Sequence, residues 1–251
     1  MTEPAAGLWT PADRTCCQHP AADEHAGMMN PETSPMPLRW TLDGLRVASS
    51  GAADGDQRDA SLRQAWLSTL GIARCVVPRQ IHGTRVVPAD ADATALASAD
   101  GVVTNDPTLA LAVYGADCPG LVLIAPDALG VAHCGWRGIS GGIVPQLVQE
   151  LAFLTSEPRQ RWRAFIGPGI GGQHYEVDQP VLSAREWPAA AVSGGRAGHA
   201  HLDLALAIVA DLAQLGITAV ERSGICTASD ARLWSYRRRG PGQVQLLVAW
   251  R

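Results

Sequence analysis

The sequence predicts a mixed α/β (α+β) fold in a single domain, and three observations carry that expectation. The middle of the chain is a succession of apolar runs of strand length, separated by glycine, proline and Asn-Asp-Pro turn signals. Between and after them lie stretches with helix start and stop signals. Hydrophobic residues fill 47% of the 251 positions, which allows a sizeable core, and no internal repeat divides the chain.

Taken in order, residues 1–36 are rich in Pro, Ala, Glu and Asp without a hydrophobic period, and they read as a flexible tail. Cys16, Cys17, His19 and His25 belong to that tail. The domain proper, 37–251, begins near Leu38-Arg39-Trp40. Residues 45–48 read as a strand. Asp59 caps a helix that runs to about Leu70 and stops at Gly71. Residues 73–77 and 84–87 read as strands flanking the turn Gln80-Ile81-His82-Gly83. Further strands are expected at 101–104, 109–114 and 121–125, with Asn105-Asp106-Pro107 turning between the first two. A strand at 130–133 leads to Gly135-Trp136-Arg137-Gly138, followed by a helix over 142–154. Residues 163–166 form a strand entering Gly167-Pro168-Gly169. An amphipathic helix is expected over 202–215, closed by Gly216, and 244–250 is a final apolar strand.

Composition excludes several kinds of chemistry. All 20 basic residues are Arg, so there is no Schiff-base lysine and no Walker-type phosphate lysine. Any anion must be held by Arg, His, a metal or backbone amides. Arg suits phosphate because its planar fork meets two oxygens. A net charge of -4 advertises neither nucleic acid nor an anionic membrane, and the apolar runs are too short to span a bilayer. The six Cys form neither a small-domain disulfide framework nor a C-x-x-C pair, which points to a reduced, cytoplasmic protein.

Chemistry concentrates in three short segments: Gln80-Ile81-His82-Gly83, Ala116-Asp117-Cys118-Pro119 and Ala132-His133-Cys134-Gly135-Trp136-Arg137-Gly138. His82, Cys118 and His133 offer two imidazoles and one thiolate. That set suits zinc and leaves a fourth position open for water or substrate, as in a catalytic site. Each residue alone has a plain structural reading, a turn histidine or a buried inert thiol. Asp117 can orient a ligand histidine, accept a proton or cap a turn. Trp136 and Arg137 offer a flat face and a fork donor, for an aromatic ring and a phosphate. Arg237 and Arg238, within the run after Trp234-Ser235-Tyr236, either neutralise a phosphate or form a solvated patch. His174 is a candidate for the same pocket. Gly138-Ile139-Ser140-Gly141-Gly142 matches G-x-S-x-G in form only, because Gly135 to Arg137 separate it from the strand and place Ser140 at a helix start.

These segments, with Ala99-Asp100-Gly101-Val102-Val103-Thr104, Ile166-Gly167-Pro168-Gly169-Ile170, Tyr175-Glu176-Val177, Cys226-Thr227 and Ser235-Tyr236-Arg237-Arg238, resemble in content and order the YfiH family, also called multicopper polyphenol oxidase or laccase domain proteins. The likeness runs from about residue 72 to 239. It implies a layered α/β/β/α domain with a metal at His82, Cys118 and His133, catalysis by these and Asp117, and substrate contacts from Trp136, Arg137, His174, Arg237 and Arg238. It implies phosphorolysis of adenosine, inosine, guanosine or methylthioadenosine, and deamination of adenosine. Zinc is the expected metal, with copper the alternative, although one Cys and two His do not make a multicopper cluster. The expected assembly is a monomer or homodimer. The family's R-x-G-G-x-S loop is missing between residues 45 and 66, and Leu62 stands where Asn is usual. Two rival expectations follow. One is editing of a peptidoglycan precursor by Cys118 with His133 as its base. The other is a metal-binding domain without turnover.

Overall fold

The computed structural model describes residues 37–251; the expected tail, with its four Cys and His, lies outside the described residues. The chain opens with strands β1 (Leu38–Leu42) and β2 (Leu45–Ser49), paired so that Leu42 faces Leu45. Asp43 and Gly44 between them both have positive φ, 46° and 83°, as a two-residue hairpin turn requires. Helix α1 (Ala60–Thr69) starts where Asp59 accepts the N–H groups of Ser61 and Leu62, as its sequence predicts. Strands β3 (Cys75–Val76) and β4 (Val86–Pro88) are shorter than expected, with Pro78, which has no N–H to give a ladder, soon after β3.

Helix α2 (Ala93–Leu96) precedes β5 (Gly101–Thr104), β6 (Ala110–Gly115), β7 (Gly120–Ile124) and β8 (Leu129–His133). A short helix α3 (Trp136–Gly141) then ends at Gly142, whose φ of 97° separates it from α4 (Ile143–Ala152). Ser140 therefore lies near the end of α3 rather than at a helix start, and its hydroxyl donates to the Arg137 carbonyl. Next come β9 (Arg163–Ile166), β10 (Glu176–Asp178), α5 (Gln179–Leu182), β11 (Val192–Gly194) and β12 (His199–Leu202). Leu202 closes β12, so the helix expected from 202 starts later, as α6 (Leu204–Gln214), with Asp203 accepting the Leu206 N–H at its cap. The chain finishes with β13 (Ala219–Arg222), α7 (Tyr236–Arg239) and β14 (Gln245–Trp250).

The first sheet has the order β1-β2-β14-β6-β3 and the second β13-β9-β7-β8-β5-β4; β10, β12 and β11 form a small third sheet. Side-chain alternation assigns the layers. In β6, Ala110 and Ala112 pack with Trp66 and Leu67 of α1, while Leu111 and Val113 meet Val122 and Phe165 of the second sheet. In β7, Val122 and Ile124 face the first sheet, while Leu121 and Leu123 meet Ile143 and Leu147 of α4 and Ile208 of α6. The result is one helix, two sheets and a helical layer, the α/β/β/α order expected. Strands covered on both faces read as unbroken apolar runs, which is why they were visible in the sequence. No helix among the described residues is long and apolar enough to cross a membrane.

Candidate metal centre

His82 sits in the loop from β3 to β4, and Cys118 in the loop from β6 to β7. Both loops cross from the first sheet to the second. His133 is the last residue of β8, paired with Gly120 of β7, and this register brings Cys118 alongside it. The potential ligand atoms of His82, Cys118 and His133 all lie within 4.8 Å of one another. The two imidazole rings meet edge to face, with centroids 4.8 Å apart. His133 is 3% exposed and Cys118 half-buried, whereas His82 is exposed, so the set opens to solvent on one side.

Asp100, at the entry to β5 and fully buried, organises two of the three residues. Its Oδ1 accepts the His82 N–H at 2.9 Å, and its Oδ2 accepts the N–H groups of Ile81 and Gly83 at 3.1 and 2.8 Å. The same Oδ1 lies 3.0 Å from His133 Nδ1. A carboxylate there keeps the proton on Nδ1 and leaves Nε2 as the lone-pair nitrogen. The three amides also hold His82 in its left-handed conformation, φ 61°, which is unusual for a non-glycine residue.

Burial alone would raise the Cys118 thiol, but hydrogen bonds and charge from His133 and His82 outweigh it and bring the pKa to about 7. Burial would lower His133, but Asp100 and Cys118 raise it to about 9. Without a metal, these groups form a thiolate–imidazolium pair.

The donor set fits a single ion. A Cβ built on Gly135 would lie 3.1 Å from Cys118 Sγ and 3.5 Å from both His133 Cε1 and His82 Cδ2, so the three side chains converge closely over this glycine and a side chain there would crowd the sulfur. Zinc bonds of about 2.0–2.3 Å in a tetrahedron separate ligand atoms by about 3.3–3.6 Å, little over an ångström inside the widest spacing here. Among the described residues this is the one group of three or more His, Cys, Asp or Glu able to hold a metal.

The other expected residues divide. Asp117 touches neither histidine. Its carboxylate accepts the Thr227 hydroxyl and the Arg237 N–H, both at 2.6 Å, and its φ of 94° makes the sharp bend before Cys118. The role of orienting a ligand histidine belongs to Asp100, which lay unremarked inside the run 99–104. Arg137 is exposed, with its guanidinium 4.4 Å from the centre of the Trp136 ring, and among the described residues that guanidinium has no hydrogen-bond or ion-pair partner. Arg237 is committed to the carbonyls of His174 and Glu176 and lies 5.2 Å from the Tyr175 ring. Arg238 is likewise engaged with backbone carbonyls. Its guanidinium donates to the carbonyls of Thr227, Ala228, Asp230 and Leu233, and it staples the loop it belongs to. The His174 ring titrates low through burial and its neighbour His201, and it is not brought into the ligand set. Tyr175, missed as a site residue, has its hydroxyl pKa pushed up by burial and by the charge of Cys118.

A cavity of about 10 Å³ lies beside Cys118, lined by Tyr114, Pro168 and Gln245 among others, with room for about one water. A groove of about 400 Å³ between α1 and β3, lined by Arg63, Gln64, Arg74 and Cys75, contains none of the ligands.

Residues 47–250 match the family model described as multi-copper polyphenol oxidoreductase laccase. The chain belongs to this laccase-domain family. Within it, the chain is 39% identical over 193 residues to a purine nucleoside phosphorylase of Deinococcus radiodurans, covering 74% of each protein. It is 36% identical over 184 residues to one of Mycobacterium tuberculosis, covering 70% of this chain and 72% of that one. Solved laccase-domain structures share the fold. A Neisseria meningitidis protein superposes with a TM-score of 0.73 at 26% identity, covering 85% of this chain and 98% of its own. YfiH of Bacillus licheniformis does so with a TM-score of 0.73 at 24% identity, covering 82% and 92%.

Proposed function

We propose that this protein is a zinc-dependent purine nucleoside phosphorylase that also deaminates adenosine. The observation that carries the reading is the convergence of His82, Cys118 and His133 in front of buried Asp100, in a chain whose relatives are named purine nucleoside phosphorylase. His82, Cys118 and His133 would hold the ion, and bound zinc supplies Lewis acidity toward a phosphate oxygen or water. Asp100 keeps the His133 proton on Nδ1, away from that face. Exposed His82 lets a solvent-borne substrate reach the centre. Arg137, whose exposed guanidinium lies over the Trp136 ring, holds phosphate, and Trp136 beside it offers a flat surface to the base. In phosphorolysis a phosphate oxygen bonds to C1′ of the ribose as the C1′–N9 bond breaks, and the base leaves with a proton. In deamination water adds at C6 and ammonia leaves.

The line Cys118–His133–Asp100 also favours a second reading, a thiol hydrolase acting on a peptide-like bond of a cell-wall precursor. Metal separates the two, because it occupies the thiolate that such a hydrolase needs.

The test is product analysis of the zinc-loaded protein with adenosine, with and without phosphate, beside His82→Ala. Adenine that requires phosphate, and inosine, both lost in the variant and after chelation, support the proposal. Activity on a precursor peptide that rises on chelation supports the second reading. Bound zinc with no product from any nucleoside or peptide would leave a metal-binding domain without turnover.

A further inference from the structure

The segment that carries His82 has an anchor besides Asp100. Strand β3 pairs with β6 only at Cys75↔Ala110 and Val76↔Leu111. Further along β6, Tyr114 stands opposite Leu246 of β14, yet its N–H and C=O meet the side chain of Gln80. The Gln80 Oε1 accepts the Tyr114 N–H at 2.6 Å, and its Nε2 donates to the Tyr114 carbonyl at 2.9 Å. A primary amide presents a donor and an acceptor side by side, as a peptide group does. Gln80 thereby continues the sheet edge for one residue and satisfies two half-buried backbone groups that β3 no longer reaches.

We propose that Gln80 is a positioning residue that sets the separation of His82 from Cys118. The covalent paths from this clamp are short, two residues from Gln80 to His82 and four from Tyr114 to Cys118. Asp100 supplies the matching link between His82 and His133. The two links fix His82 against both other ligands, although its own loop has no strand to hold it. The inference rests on reading the three residues as a metal centre.

The test uses the full chain and Co2+ as the probe, followed by its visible bands and the thiolate charge-transfer band. Gln80→Met keeps the side-chain length and removes both hydrogen bonds; Gln80→Glu keeps an acceptor and removes the donor. Wild type is expected to bind one Co2+ with a thiolate band. Gln80→Met is expected to bind about 10–100-fold more weakly, the range seen when supporting partners of metal ligands are lost, with shifted visible bands. Wild-type affinity and spectrum in a folded Gln80→Met would overturn the proposal, and so would a lowered melting temperature with unchanged affinity. If Gln80→Met does not fold, the same comparison on Gln80→Glu decides. Failure of the wild type itself to bind Co2+ would instead remove the metal reading, and this proposal with it.

Discussion

Replacing Asp100 by Asn is the most informative single change, because it keeps the shape and removes the charge. The carboxylate accepts from four donors, two at each oxygen. An amide has one acceptor atom, so whichever way it turns, two buried donors face an NH2 group. If the nitrogen replaces Oδ2, the N–H groups of Ile81 and Gly83 lose their acceptor. If it replaces Oδ1, the His82 N–H does, and His133 must accept at Nδ1. The His133 proton then moves to Nε2, the atom needed for a metal. One or two donors are thus left unsatisfied, at about 1–3 kcal/mol each, so the loss is about 1–6 kcal/mol. At about 2–4 °C per kcal/mol for a chain of this size, the melting temperature should fall by roughly 2–24 °C. Metal affinity should fall about 10–100-fold. The assays are thermal unfolding of the metal-free protein by circular dichroism and competition for Zn2+ against a chromophoric chelator. A destabilised Asp100→Asn that binds zinc like wild type would refute the claim that Asp100 governs the ligand nitrogen. A variant unchanged in both would refute the four-donor arrangement itself.

Two further outcomes are expected. In the metal-free protein the folded Cys118 pKa lies below its ordinary 9, so its contribution to stability is full above pH 9 and is lost as pH falls through about 7. His133 is raised from 6.5, so its contribution is full below pH 6.5 and is lost as pH rises through about 9; the pair holds best between these two folded values. Iodoacetamide should therefore alkylate Cys118 with a midpoint near pH 7, measured against Cys118→Ala, and zinc should suppress it; a midpoint near 9 would contradict the pairing. Arg238→Met should lower stability by about 2–4 kcal/mol, because it strips donors from four carbonyls. Phosphate dependence should stay that of wild type, and a raised KM for phosphate at an unchanged melting temperature would return Arg238 to the substrate.

The fold was legible where pattern and environment coincide. Strands β5 to β9 lie in sheets buried on both faces or nearly so, and an unbroken apolar run is the signature of that burial. The small third sheet was not legible, because β10, β11 and β12 carry Glu176, Ser193, His199 and His201 and lack that signature. The Asp43-Gly44 turn carried a hairpin signal, but β1 has Arg39 and Thr41 on its solvent side, so it read only as the start of the domain. At the site, the ligands were legible by residue type and by their position at strand ends. Asp100 was not, since its partners lie 18 and 33 residues away, and it takes the pairing of β5 with β4 to bring His82 to it and with β8 to bring His133. The contacts of Arg238 were not legible either. A run of three arginines resembles an anion patch, yet this member turns back onto carbonyls within eleven residues of itself.

These placements bear on where selectivity resides. The ligand layer is braced from behind by Asp100 and Gln80, and its outer side, marked by exposed His82, faces solvent. The space beside Cys118 is about 10 Å³, and the groove of about 400 Å³ between α1 and β3 contains none of His82, Cys118 and His133. From β2 the chain passes through a single turn at Ala52–Asp54 to α1. Arg63 of α1 is anchored on the Tyr114 hydroxyl and the Gln57 carbonyl. On the proposed function, His82, Cys118 and His133 form the metal end of the site, and the rim carrying Trp136 and exposed Arg137 would supply the substrate contacts. Substitutions at the rim should alter KM and the choice of base, whereas substitutions behind the ligands should alter metal affinity. That division gives a physical basis for separating loss of substrate from loss of metal in any variant of this chain.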